Sequence, residues 1–180
     1  MLIVQRKNMP HITRTVNICS PTECKSFVQD VVRLAGAIDH IFNCPSICPG
    51  IITPSLFFIP WDTWGDLVAY LKGVFGITHA CIPYLKPGAS FVNTLQGKTF
   101  DPAFPFYCTS ITGFSSTMAS LLRPKGIRTN VVRFQDIEAN PPTEQFIERP
   151  RSVSAFDVAK IVYDLMEGEK QKLNGKVVSV

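Results

Sequence analysis

Residues 105–134 read "PFYCTSITGFSSTMASLLRPKGIRTNVVRF". The first part, to about residue 123, reads as a helix. "GIRTNVVRF" (126–134) is rich in β-branched residues and reads as a strand that follows the helix almost at once. A helix feeding directly into an apolar strand is half of a strand–helix–strand unit, and the rest of the chain repeats it.

Upstream, "ASFVNT" (89–94) is a strand, and "WDTWGDLVAYLKGVFGITHACIPYL" (61–85) is a long helix broken near Pro83. A Pro-rich loop covers 45–60, and "IDHIFN" (38–43) is a short buried strand. Before it, "SPTE" (20–23) has the marks of a helix start. Ser20 can cap, Pro21 suits the first helical position and Glu23 can close a capping box. Val28, Val31, Val32 and Ala35 then give one apolar face, and Gly36 ends the helix. "HITRTVNI" (11–18) is an alternating strand. Downstream, 135–151 is a polar Pro-rich loop. Ser154 and Asp157 cap a helix to about Met166, and "GKVVSV" (175–180) is a last strand. Repeated strand–helix–strand units with apolar strands imply one α/β domain over 1–180, a mostly parallel sheet with helices on both faces.

The bulk properties agree. The chain has 180 residues, 46% hydrophobic and only 18% charged, enough for a real core and unlike disorder. A net charge of +4 with no basic–aromatic run gives no footprint for nucleic acid. The longest apolar window, 51–60, is too short and too proline-broken to span a membrane. "MLIVQRKN" does not have the order of a signal peptide, so a cytoplasmic location is expected. Of the six cysteines, Cys19/Cys24 and Cys44/Cys48 lack the tight gap of a zinc knuckle, and His11, His40 and His79 are scattered. Free buried thiols are expected, and no metal.

The order of motifs resembles the short-chain dehydrogenase/reductase superfamily from about Ile12 onward. "GAIDHIFNCPSI" (36–47) is similar to that family's "G-x-I-D-x-L-V-N-N-A-G" strand and turn. "VAYLKGVFGITHACIPYLK" (68–86) is similar to its long interface helix, and "SFVNTLQG" (90–97) to the strand carrying the catalytic serine. "YCTSITGFSSTMASLLRPKGIRTNVV" (107–132) is similar to its tyrosine helix followed by "G-I-R-V-N". The resemblance implies a Rossmann-like three-layer sandwich and hydride transfer with a nicotinamide, using a tyrosine acid/base and a serine. It also implies a lysine four residues past the tyrosine, which holds the ribose and lowers the tyrosine pKa.

Taken residue by residue, the resemblance is uneven. Tyr107 keeps the tyrosine. Thr94 falls at the serine position, thirteen residues before it, with Gly97 three residues on. The lysine position is Ile111, and the helix asparagine position is Tyr70. "N-N-A-G" is reduced to Asn43, and the "P-G" near the nicotinamide is Phe134–Gln135. The first strand and its glycine-rich turn are missing, since residues 1–20 hold no glycine. Only Met9 and Pro10 separate "LIVQRKN" (2–8) from the next strand. That is too short for a parallel crossover, so 2–18 should form a hairpin or a rearranged edge. The edge left by the missing strand could take the N-terminal strand, could be covered by a second chain, or could mean an incomplete copy of a longer protein.

An unperturbed tyrosine titrates near ~10, and a neighbouring cation favours phenolate. With Ile111 there instead, Tyr107 is expected to be a protonated hydrogen-bond donor. Three functions follow. One is a non-redox isomerase, lyase or cyclase of small-molecule metabolism, secondary metabolism included. Tyr107 and Thr94 would be its hydrogen-bond donors, Asn43, Gln96, Phe104, Phe134 and Gln135 would contact an apolar substrate, and it would need no cofactor. Aromatics such as Phe57, Phe58, Trp61, Trp64, Phe100 and Phe106 suit such a pocket, although core packing explains them equally well. The second is the family's oxidoreductase activity with NADP or NAD. The third is an inactive binding subunit. Under each, a homodimer through helices 61–83 and 105–123 is expected, with Gly73, Gly76, Ala80, Gly113, Ser116 and Ala119 permitting close packing.

Overall fold

The computed structural model describes residues 2–4, 12–44, 64–96, 104–134 and 153–180. Helix α1 runs Pro21–Ala35. Ser20 Oγ accepts from the Glu23 amide at 3.3 Å, the expected cap. Glu23 itself reaches past the cap and accepts from the Asn17 amide at 2.9 Å, so the reciprocal bond of a capping box is displaced three residues upstream. Cys24, Phe27, Val28 and Val31 form the buried face, while Val32 is only partly buried.

Strand β3 (Ile38–Asn43) follows, preceded by β1 (Leu2–Val4) and β2 (Ile12–Arg14). Helix α2 spans Trp64–Cys81 and tightens into a 3-10 turn at Ile82–Tyr84, the break expected at Pro83. Strand β4 (Leu85–Gln96) is longer at both ends than its apolar centre suggests. Helix α3 (Phe104–Leu122) passes through a 3-10 turn at Arg123–Lys125 into β5 (Arg128–Phe134). Gly126 makes that junction with φ of 70°, a backbone state that a side chain would disfavour. Helix α4 (Ala155–Met166) is capped by Ser154, whose Oγ accepts from the Asp157 amide at 3.1 Å, and β6 (Val177–Ser179) closes the chain.

The main sheet has the order β3-β4-β5-β6, and all its pairings are parallel. Strand alternation sorts the helices onto its two faces. Ile41, Phe91, Leu95 and Val131 point to α1, α2 and α3, in clusters with Phe27, Val28, Ile77, Met118 and Ile111. Val92, Val132 and Phe134 point the other way, against Val158, Val162 and Leu165 of α4. This is the three-layer Rossmann-like sandwich that the motifs imply.

The N-terminal segment is the hairpin option. β1 and β2 pair antiparallel, Leu2 with Arg14 and Val4 with Ile12, in a sheet of their own. The N-terminal strand therefore does not enter the slot beside β3. An ion pair from Arg14 to Asp30 at 2.6 Å ties β2 to α1. β3 ends the main sheet among the described residues, and Phe42 is exposed on its α4-side face.

Two expectations change. Gly73 and Gly76 serve the chain's own packing: a side chain on Gly73 would collide with Ile18, and one on Gly76 would meet the Ile18 carbonyl at 3.2 Å. Ala119 is buried as well, whereas Gly113 and Ser116 of α3 are exposed and a side chain on Gly113 would meet nothing within 4 Å. The thiols are not uniformly buried: Cys24 and Cys81 are, but Cys19 and Cys44 are exposed and Cys108 is intermediate. Among the described residues, no helix is long and apolar enough to cross a membrane. The loops expected at 45–60 and 135–151 lie outside the described residues.

Candidate functional site

In open parallel sheets, ligands bind beyond the carboxyl ends of the strands. Here that edge is made by Asn43 of β3, Thr94–Gln96 of β4, Arg133–Phe134 of β5 and the first turn of α3. Trp64 and Phe106, at the starts of α2 and α3, meet with ring centroids 5.7 Å apart, so the two helices begin side by side.

A line of buried side-chain amides and hydroxyls underlies this edge. Asn43 Nδ2 donates to Asn93 Oδ1 at 2.8 Å, and Asn93 Nδ2 donates to Ser115 Oγ at 2.9 Å. All three side chains are buried, on the face that carries α3. A buried amide without partners costs about 1–3 kcal/mol, so the line holds β3, β4 and α3 in one register. Thr94 points to the opposite face. It is 0% exposed, and its Oγ1 donates to the Asn43 carbonyl at 3.3 Å. Thr94 and Asn43 are thus joined, as two of the expected site residues. Asn93 and Ser115 were not foreseen. Asn93 lies inside the serine-strand motif, but only the β3–β4 register, which pairs it with Asn43, reveals its part.

Ile111 stands one helical turn after Tyr107. It is 0% exposed and sits in a hydrocarbon cluster with Val74, Leu95 and Val131. An ammonium there would be stripped of water with no carboxylate in that cluster. The group that in relatives of this pattern would hold a nicotinamide ribose is therefore absent, and its place is filled with core. The described residues do not fit that part of a nicotinamide site.

The remaining expected residues divide. Phe134 is 1% exposed and packs against α4, which leaves its ring no open face toward a ligand. Tyr107 and Phe104 lie in the first turn of α3, and Gln96 ends β4 opposite Phe134, but their side chains lie outside the described residues, as does Gln135 altogether. Phe57, Phe58, Trp61 and Phe100 are outside as well. Cys108, next to Tyr107, has its thiol pushed up by burial, with Arg133 of β5 pulling the other way.

At the amino ends of the strands a second polar set occurs. His40 Nδ1 lies 2.9 Å from Ser90 Oγ, and His40 Nε2 lies 3.1 Å from Glu167 Oε1. The order is that of a hydroxyl nucleophile, a base and an orienting acid. Ser90 is fully buried, however, so no substrate reaches its oxygen. The set ties β3 and β4 to the end of α4. Beside it, Arg128 caps α4 by donating to the Leu165 and Met166 carbonyls at 2.6 and 2.9 Å.

Comparison with known proteins follows the same lines. A family model described as enoyl-(acyl carrier protein) reductase matches residues 4–180. The 3-oxoacyl-(acyl-carrier-protein) reductase FabG of Thermotoga maritima is 26% identical, over 92% of this chain and 73% of its own. A short-chain dehydrogenase of Burkholderia cenocepacia, solved in complex with NADP, superposes with a TM-score of 0.72 at 21% identity, over 92% of this chain and 73% of that one. A short-chain dehydrogenase/reductase of Brucella melitensis, described as a glucose/ribitol dehydrogenase, gives 0.77 at 19% identity, over 94% and 74%.

Proposed function

The chain belongs to the enoyl-(acyl carrier protein) reductase family of the short-chain dehydrogenase/reductase superfamily, and from that premise we propose a non-redox enzyme on the family's scaffold. It acts on an apolar, carbonyl-bearing small molecule as an isomerase, lyase or cyclase. The observation that carries this reading is Ile111, buried in hydrocarbon where the family places a lysine.

In this reading the substrate oxygen sits beyond the carboxyl end of β4. The Tyr107 phenol donates a hydrogen bond to it and polarises the carbonyl. Thr94, expected as a second donor, is fully buried on the opposite face and keeps its bond to the Asn43 carbonyl, so it braces the end of β3 and does not touch the substrate. The Asn43–Asn93–Ser115 line fixes the strand ends from the α3 side. Gln96, Phe104 and Gln135 border the substrate. No step is routed through a nicotinamide. The same reading includes a cytosolic location and a homodimer through the α2 and α3 faces.

The test is turnover without added nicotinamide. A panel of apolar ketones and β-oxygenated thioesters is followed by NMR. We expect conversion of at least one compound, slowed roughly 10²–10⁴-fold in Tyr107→Phe, the usual contribution of a positioned proton donor. Equal activity of Tyr107→Phe would remove the tyrosine from the site.

A second reading, reduction with NADP or NAD, is favoured by the 26% identity to a reductase over most of both chains. It requires a cofactor site that does without the lysine.

A further inference from the structure

The turn that enters α1 carries two cysteines placed by helix geometry. Ser20 is the cap, which makes Cys19 the residue before it and Cys24 the fourth residue of the helix. Side chains at these two positions pack on each other at helix starts, usually as an apolar staple. Here both are thiols, and both are free.

Their surroundings differ. Cys19 is exposed, and its Sγ donates to the Ala69 carbonyl of α2 at 3.4 Å. Cys24 is 0% exposed, and its Sγ donates to the Ile18 carbonyl at 3.3 Å, one peptide unit from Cys19. Gly76 of α2 lets this approach occur, since a side chain there would meet the Ile18 carbonyl at 3.2 Å and Cys24 Sγ at 3.5 Å. Burial raises the Cys24 thiol, and the neighbouring Cys19 and then Glu23 raise it further. Cys24 is thus a sheltered thiol, and the peptide carbonyl it bonds is the one that joins Ile18 to the accessible Cys19. Among the described residues no group of three or more His, Cys, Asp or Glu is placed to hold a metal, so the pair is not part of such a site.

We propose that Cys19 and Cys24 form a thiol–disulfide exchange site for small disulfides of the glutathione class. The Cys19 thiolate attacks one sulfur of the small disulfide. Its S–S bond breaks, a mixed disulfide forms on Cys19, and the first small thiol leaves with the Cys19 proton. The Cys24 thiolate then attacks the Cys19 sulfur. The second small thiol leaves with the Cys24 proton, and a Cys19–Cys24 disulfide remains. The protein gives up two electrons, and the small disulfide is reduced to two thiols. Closing the bond draws Cys19 off Ala69 and Cys24 off Ile18, and so loosens two ties where the α1 entry meets α2.

The experiment uses the full chain with Cys44→Ser, which removes an exposed thiol outside the pair. It is incubated natively with oxidised glutathione, quenched in acid, and read by intact mass and peptide mapping. The expected product has lost two hydrogens, keeps no glutathionyl group on Cys19, and maps to a Cys19–Cys24 link. Cys24→Ala should stop at one glutathionyl group on Cys19. Cys19→Ser, an exposed and conservative change, should leave Cys24 unmodified and carries the test if Cys24→Ala fails to fold. A glutathionyl group that persists on Cys19 in the parent, a link from Cys24 to Cys81, or an unreacted Cys19 would overturn the proposal.

Discussion

Ile111 occupies the one position where the sequence pattern asks for a charge and the structure supplies a hole lined by Val74, Leu95 and Val131. The two requirements cannot both be met. A lysine placed there in the present packing is a buried cation with no partner in that cluster. We expect Ile111→Lys to lose about 3–5 kcal/mol in urea unfolding, the usual cost of an uncompensated buried charge. Ile111→Val should lose only about 0.5–1.5 kcal/mol. Equal losses for the two would mean that the site accommodates a cation. The sequence shows which residue stands at 111, and the structure adds that its neighbours have closed around it. Thr94 and Phe134 teach the complement. Their positions in the motif were legible, but their burial was not, because burial depends on α4 packing over β4 and β5 from sixty residues away in the case of Thr94.

At the scale of elements, local signals were good guides. The Ser20 and Ser154 caps, the Gly36 stop, the break at Pro83 and the strand–helix alternation all rest on interactions within a few residues. The glycines of α2 are ambiguous signals for a physical reason. A small residue says that something approaches closely, but not whether it is a partner helix or, as here, Ile18 of the same chain. That α1–α2 seam also buries Cys81, whose thiol is pushed up to about 12 from 9.0, first by burial and then by Cys24. The unfolded chain releases this proton at lower pH than the folded chain does. Its contribution is therefore complete below pH 9.0 and is lost as pH rises from there to about 12. Stability measured by chemical denaturation should fall across that window, and Cys81→Ala should flatten part of the fall. An identical pH slope in Cys81→Ala would show that the thiol is not held in this way.

For the whole molecule, the family pattern made the layers and the parallel sheet readable, since five motifs in sequence order determine a parallel sandwich better than any one does. The separate β1–β2 hairpin was readable only as one option among several, because a short connection excludes a parallel crossover without choosing what replaces it. The helix pair proposed for dimer contact exposes Phe75 at 55% and Leu121 at 66%, with Phe75 edge-on to Phe114 at 6.2 Å. If these faces meet a second copy, Phe75→Asp should convert a dimer to a monomer in sedimentation velocity, while an unchanged dimer would place the contact elsewhere. The central claim is that core packing at Ile111 has removed part of the nicotinamide site. Titration of the full chain with NADPH and NADH, followed by cofactor fluorescence and thermal shift, tests it most directly. The account predicts no saturable fluorescence change and no stabilisation with either cofactor; saturable binding accompanied by a rise in Tm would contradict it.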